Sequence, residues 1–150
     1  MSRTAPKNVH IDNARTTDQA EVLKLIQKGK FCPFCDPNYL KNEHKKPILK
    51  NGKFWIATEN RWPYEGAKVH LIFIHKKHIA SIEQLKPEAW QELRQIVVSL
   101  KKKNNIPGGT LMMRFGDMRC TGGTVEHLHA QLVSGDASNP DRKPVVVRVG

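Results

Sequence analysis

The stretch Glu126-His127-Leu128-His129-Ala130-Gln131-Leu132 constrains this chain more than any other. Its polar and apolar residues alternate with a period of two. Residues two apart on a strand point to the same side, so the pattern predicts a strand with one polar and one apolar face. His127, His129 and Gln131 share the polar face, and Leu128, Ala130 and Leu132 pack on the other. A helix over the same residues would mix the two sets. Glu126 falls on the apolar side, which removes it as a partner of the histidines.

Gly122-Gly123-Thr124 stands directly before this strand. Glycines allow backbone N–H groups to approach an anion closely, and the threonine hydroxyl adds a donor. A neutral imidazole facing such a loop is nucleophilic near neutral pH, and the donors stabilise charge on phosphoryl oxygens. The arrangement points to attack on a nucleotide phosphate by the face of His127, His129 and Gln131.

The rest of the chain reads as a single α+β domain. Thr16 and Gln19 have the spacing of a capping box, and a helix follows to Gly29. Residues 1–17 are expected to form a flexible arm carrying Arg3, Lys7 and Arg15, and 18–150 the domain. The prolines in Cys32-Pro33-Phe34-Cys35-Asp36-Pro37 exclude a helix there. Asn51-Gly52 between Ile48-Leu49-Lys50 and Lys53–Thr58 predicts a hairpin. Val69–Ile74, almost continuously apolar, predicts a buried central strand. Pro87 opens a helix whose apolar face carries Trp90, Leu93, Ile96, Val97 and Leu100, and Lys101–Lys103 suit its negative end. Trp55 and Trp90 are both expected in the core. Thr110–Phe115 and His127–Val133 add strands, and Val145–Val149 an edge strand. The order of elements implies an antiparallel sheet of about five strands with helices packed on it.

Charge and cysteine content narrow the partners. With 25 Lys and Arg against 14 Asp and Glu, the formal charge is +11. That balance favours polyanions such as nucleotides or nucleic acid and excludes an acidic buffer or tail. No run approaches the ~18 apolar residues of a membrane span, and the polar N-terminus lacks a signal-peptide core. The expectation is a cytoplasmic protein with no membrane partner. Three cysteines without a secretory signal argue against a disulfide framework. Cys32-x-x-Cys35 has the spacing of half a zinc site, with a redox dithiol as the competing reading. His44, in a nearby loop, is a candidate ligand.

Gly123-Thr124-Val125-Glu126-His127-Leu128-His129-Ala130-Gln131-Leu132-Val133 resembles the signature of the histidine triad superfamily. Asn60-Arg61-Trp62-Pro63-Tyr64 and His70-Leu71, followed by His75-Lys76-Lys77-His78, resemble its second conserved region. The resemblance spans roughly residues 30–134. Gln131 replaces the usual third histidine, as in the branch of galactose-1-phosphate uridylyltransferase and diadenosine tetraphosphate phosphorylase. Three features depart from the pattern: Ala67-Lys68-Val69 before His70, His75 in place of a proline, and a longer loop from Arg114 to Gly123.

The resemblance implies that His129 is the nucleophile and forms a covalent nucleotidyl-histidine. It implies that Gln131 binds phosphoryl oxygens, and that transfer to phosphate or a sugar phosphate is favoured over hydrolysis. It completes the metal site of Cys32 and Cys35 with His78 and His127, around a structural zinc. It places Arg114 toward the phosphates and implies a homodimer. Asn60 and Tyr64 are expected to line the nucleoside pocket, Arg119 is a second candidate phosphate clamp, and Trp62 a candidate for stacking on a base. Two other activities compete: hydrolysis of nucleotidyl anhydrides or phosphoramidates, and recognition or processing of a nucleic-acid end through the basic surface.

Overall fold

The computed structural model describes residues 8–150. Five strands form one antiparallel sheet: β1 (Ile48–Asn51), β2 (Trp55–Glu59), β3 (Ala67–His75), β4 (Thr110–Arg114) and β5 (His129–Gly135). Their order across the sheet is β1-β2-β3-β5-β4. The continuously apolar stretch supplies β3, buried between β2 and β5.

Strand alternation divides the sheet into two faces. Trp55, Ala57, Leu71, Phe73, Ala130 and Leu132 form one face. Helix α2 (Pro87–Lys103) covers it with Ala89, Leu93, Ile96 and Leu100, closing the main core. Trp55 is fully buried and its indole N–H donates to the Ala89 carbonyl at 2.7 Å. Trp90, expected in this core, is instead 42% exposed. The inward stripe runs through Ala89, one position earlier, and that rotates Trp90 outward.

The opposite face carries Ile56, Thr58, His70, Ile72, Ile74, His129 and Gln131, and its cover is different. Ile72 and Ile74 meet Phe34, from between the two cysteines, and Leu40, from the segment that follows them. Helix α1 (Thr17–Gly29) adds Leu23 and Ile26 to a satellite cluster with Val9 and Tyr39. Thr16 caps α1, its hydroxyl accepting from the Gln19 N–H at 3.1 Å.

Several expectations need correction. Residues 8–16, expected within a flexible arm, dock on the domain. Val9 is fully buried and bridges to Val125, the His10 N–H donates to the Thr124 carbonyl, and the Glu126 N–H donates to the Asn8 carbonyl. Arg3 and Lys7 lie outside the described residues. The hairpin turn is longer than a two-residue Asn-Gly connection, because Asn51 pairs with Ile56. Glu92 of α2 explains the difference: its carboxylate accepts from the backbone N–H groups of Lys53, Phe54 and Trp55 at 2.7–3.0 Å. A short helical turn at Tyr39–Glu43 follows Pro37. Another, α3 (Met118–Thr121), lies in the long loop expected to be irregular. Val145–Val149, expected as an edge strand, forms no strand. Among the described residues, no helix is long and apolar enough to cross a membrane.

Candidate active site and metal centre

Register places the site chemistry in rows across the second face. Ile56, Ile74, His129 and Arg114 form one row, and Thr58, Ile72, Gln131 and Met112 the next. Arg114 is thus the direct cross-strand neighbour of His129. A cleft opens over these rows, lined by His129, Gln131, Arg114, Asn60, Tyr64 and the Gly122-Gly123-Thr124 loop, among others.

The proton positions of three histidines follow from their partners. His129 Nδ1 lies 2.6 Å from the His127 carbonyl oxygen. A carbonyl only accepts, so Nδ1 carries the proton and Nε2 keeps its lone pair. Burial pushes the His129 pKa down to about 4, reinforced by the Arg114 charge and opposed by the bond to His127. The ring is therefore neutral at pH 7, the state a nucleophile requires.

His70, left without a role by the sequence, sets Gln131. The Tyr64 N–H donates to His70 Nδ1 at 3.0 Å, so the proton sits on Nε2, which donates to Gln131 Oε1 at 2.7 Å. With its oxygen committed, Gln131 presents its NH₂ as the group free for the cleft. Burial lowers the His70 pKa to about 4, the bond to Gln131 opposing and Arg15 and Arg114 assisting.

The third is His127. Its Nε2 lies 2.5 Å from the His75 carbonyl, so Nε2 carries the proton and Nδ1 is the free donor atom. Nδ1 lies 3.4 Å from both Cys32 Sγ and Cys35 Sγ, and His78 Nδ1 lies 3.2 Å from Cys35 Sγ. All four ligand atoms fall within 4.8 Å of one another. Tetrahedral zinc with bonds of about 2.3 Å to sulfur and 2.0–2.1 Å to nitrogen has ligand–ligand edges of roughly 3.3–3.8 Å. The donor set and its spacing fit such an ion. Without a cation, burial and the adjacent Cys32 push the Cys35 thiol up to about 12. His44 is not part of this cluster. Its Nε2 donates to the Glu59 carbonyl at 3.0 Å.

His127 and His129 therefore do not share one face. The strand begins at His129, because the Leu128 N–H donates to the Ile79 carbonyl and the Leu128 carbonyl accepts from His75. This irregular entry turns the His127 ring to the cysteine loop and leaves His129 to the cleft. Phe34 of that loop packs edge-on against both rings, at centroid distances of 5.7 and 5.2 Å.

The glycine loop lines the cleft, but not as an open anion nest. The Gly123 N–H donates to Thr121 Oγ1 at 3.1 Å, and Asn13 Nδ2 donates to the Gly123 carbonyl at 2.6 Å. Gly122 has φ +67 and lies under the Arg148 carbonyl, 2.8 Å from where a Cβ would stand. Arg114 donates to Thr121 O, Tyr64 Oη and Arg148 O. Arg119 points away, paired with Asp117 in solvent. Trp62 lines the cleft and donates to Asp18 at 2.6 Å. His75, standing where the family pattern has proline, is buried edge-on against Trp55. Sequence reasoning missed Asn13 and Arg148, which come from the ends of the chain. Only their long-range contacts reveal them.

A family model described as "Scavenger mRNA decapping enzyme C-term binding" matches residues 32–143. The chain belongs to this family. Histidine triad structures share its fold. A HIT family hydrolase from Clostridium thermocellum is 27% identical, with TM-score 0.52, covering 72% of this chain and 93% of that one. A histidine triad nucleotide-binding protein from Candida albicans is 22% identical, with TM-score 0.56, covering 79% and 86%. Comparison with curated proteins finds no match. The decapping-family domain thus has the fold of these histidine triad proteins.

Proposed function

We propose that the protein cleaves a nucleoside polyphosphate or nucleotide sugar through a covalent nucleotidyl-His129 intermediate and passes the nucleotidyl group to a phosphate acceptor. One observation carries this reading: a buried, neutral His129 whose Nδ1 proton is committed to the His127 carbonyl, in a cleft that also holds Gln131 and Arg114. In this reading Nε2 attacks the α-phosphorus, and the Gln131 NH₂ and Arg114 bind the phosphoryl oxygens as charge builds on them. Asn60 and Tyr64 line the nucleoside end of the cleft, and the Gly122-Gly123-Thr124 loop shapes its phosphate end.

Gln131 supports transfer over hydrolysis, as in the Gln-bearing branch. An amide neither protonates a leaving group nor activates water, whereas a phosphate leaving group and a phosphate acceptor need neither service. Hydrolysis is the second reading, favoured by the similar protein named a HIT family hydrolase.

We infer that Cys32, Cys35, His78 and His127 hold a structural zinc. Four protein ligands leave no open position, so the ion would supply a cross-link between the cysteine loop and the entry to β5. A homodimer is supported by the free edge of β4, where Leu111 and the adjacent Phe115 are exposed.

The test is single-turnover rapid quench with labelled dinucleoside polyphosphates, a cap-type dinucleotide included, and nucleotide sugars. The expected result is an acid-labile, base-stable adduct that is lost in His129→Asn. An adduct that survives this substitution overturns the mechanism. Product that forms equally well without phosphate overturns transfer and establishes hydrolysis.

A further inference from the structure

The docked N-terminal segment brings Arg15 into the cleft, outside the stretch matched by the family. Its guanidinium carbon lies 4.3 Å from the centroid of the Tyr64 ring, and Arg114 donates to the hydroxyl of the same ring at 3.0 Å. One phenol therefore joins two guanidiniums. Neither has a carboxylate partner among the described residues: Arg15 donates to the Trp62 carbonyl, and Arg114 to the Thr121 and Arg148 carbonyls and the Tyr64 hydroxyl. Arg61 and Arg148 also line the cleft, and its lining holds no Asp or Glu. Desolvation weighs against the charge on Arg15, the Tyr64 hydroxyl favours it, and Arg114 repels it. Two cations held together without a counter-ion form a site for a doubly charged, tetrahedral anion.

The place of this pair relative to the reacting centre says which anion. The Tyr64 ring stacks on His70 at 4.4 Å, and His70 holds Gln131. Arg114 is the cross-strand neighbour of His129. The guanidiniums thus stand beside the seat of the phosphoryl group bonded to His129.

We propose that Arg15, with Arg114 and the Tyr64 hydroxyl, forms a second phosphate subsite that takes the phosphoryl group not bonded to His129. The proposal rests on the nucleotidyl-transfer reading above. In the first half-reaction the bond from His129 Nε2 to the α-phosphorus forms and the bridging P–O bond breaks. The departing phosphate keeps the electron pair and rests on Arg15 and Arg114. In the second, an oxygen of hydrogen phosphate held on the same two arginines attacks that phosphorus. The P–N bond breaks, its electrons return to Nε2, and His129 is neutral again with its proton still on Nδ1. The acceptor's own proton stays on the product phosphate, so no general acid is consumed.

The test uses the full chain, with orthophosphate alone as probe. Binding of labelled orthophosphate is measured by equilibrium dialysis for the wild type, Arg15→Gln, Arg15→Lys and the surface control Arg119→Gln. Loss of one charge-assisted contact predicts an affinity at least about 10-fold weaker for Arg15→Gln. Arg15→Lys keeps the charge and recovers part of the affinity, and Arg119→Gln matches the wild type. If both Arg15 variants bind orthophosphate like the wild type, the subsite is overturned. Thermal melting identifies an unfolded Arg15→Gln, in which case Arg15→Lys against Arg119→Gln decides: equal binding overturns the subsite. Adduct formation on His129 is read on the same preparations. An adduct with binding indifferent to Arg15 overturns the subsite but keeps the transferase reading. Arg15-dependent binding without an adduct does the reverse.

Discussion

His70→Phe isolates the device that aims Gln131. The substitution preserves an aromatic ring to stack on Tyr64, where the centroids lie 4.4 Å apart. It removes both ring nitrogens. Gln131 Oε1 loses a 2.7 Å donor and the Tyr64 N–H loses a 3.0 Å acceptor, both in a buried setting. Leaving a buried polar group unpaired costs about 1–3 kcal/mol, so two cost about 2–6 kcal/mol. Asn60 Nδ2 lies 3.2 Å from His70 Nε2, close enough to turn toward the freed Gln131 oxygen, which favours the lower half of that range. Taking about 3 kcal/mol, and about 2–4 °C per kcal/mol for a domain of this size, the melting midpoint falls by roughly 6–12 °C. The catalytic effect is separate. A free Gln131 amide spends part of its time with oxygen toward the phosphoryl group, where it repels. Loss of one oriented donor lowers kcat by roughly 10²-fold, the scale of an oxyanion donor. Calorimetry and quench-flow on one preparation read both quantities. A variant that melts with the wild type and forms adduct at the wild-type rate would refute the claim that His70 orients Gln131.

The pKa values of His70 and His129, both lowered to about 4 by burial, predict a directional pH response. The unfolded chain takes up protons below about pH 6.5 while the folded chain resists until about 4, so stability falls as the pH drops through that window by roughly 3 kcal/mol per pH unit for the two groups, read by urea titration at successive pH values. The rate of adduct formation should hold well below pH 6.5, because neutral His129 persists there; a loss of rate centred at 6.5 contradicts the burial argument. Prolonged chelation should release close to one zinc per chain and lower the melting midpoint, and Cys35→Ser should do the same; metal analysis well below one per chain, with no chelator effect, removes the zinc. Gly122→Ala places a side chain at φ +67 against the Arg148 carbonyl and should destabilise by about 1–2 kcal/mol, detectable by thermal melting, while loosening the C-terminal tail.

The sheet and its order of elements were legible because each strand declares itself locally. Alternation marks β5, a continuous apolar run marks β3, and Pro87 with a helical stripe marks α2. The meeting of Cys32, Cys35, His78 and His127 was legible because two cysteines at knuckle spacing suggest two further ligands, and the family pattern names His78 and His127. What was hidden is what depends on packing. Trp90 follows a helical stripe in sequence yet lies just outside it, because a stripe one position wide does not fix its own centre. Glu92 is one of two acids on α2, with Glu88, and nothing local says that it caps the β1–β2 turn. The dockings of Asn13 and Arg148 on the glycine loop join residues more than a hundred positions from their partners or at the far end of the chain. The open nest expected at Gly122 and Gly123 failed for a local reason. The N–H group expected to meet phosphate is already taken by Thr121, and arginine side chains supply the positive charge in the cleft.

His127 couples the two halves of the site through different atoms. Its ring belongs to the cysteine cluster: Nδ1 faces the two sulfurs, and Nε2 is fixed by the His75 carbonyl. Its backbone carbonyl belongs to the cleft, where it fixes the Nδ1 proton of His129. A rigid His127 ring therefore holds the acceptor that decides which nitrogen of His129 is nucleophilic. Loosening the cluster would let that carbonyl drift, and His129 would sample the opposite tautomer with its proton toward the cleft. The cysteine knuckle is some distance in sequence from the reaction and touches neither the cleft's arginines nor Gln131. Its influence on the chemistry runs through the His127 peptide group and through Phe34, which packs on the His129 ring. On this argument Cys35→Ser should depress the rate of adduct formation more than it depresses orthophosphate binding, because only the former depends on the His129 tautomer. Equal losses would mean that the knuckle acts on the whole cleft by unfolding it.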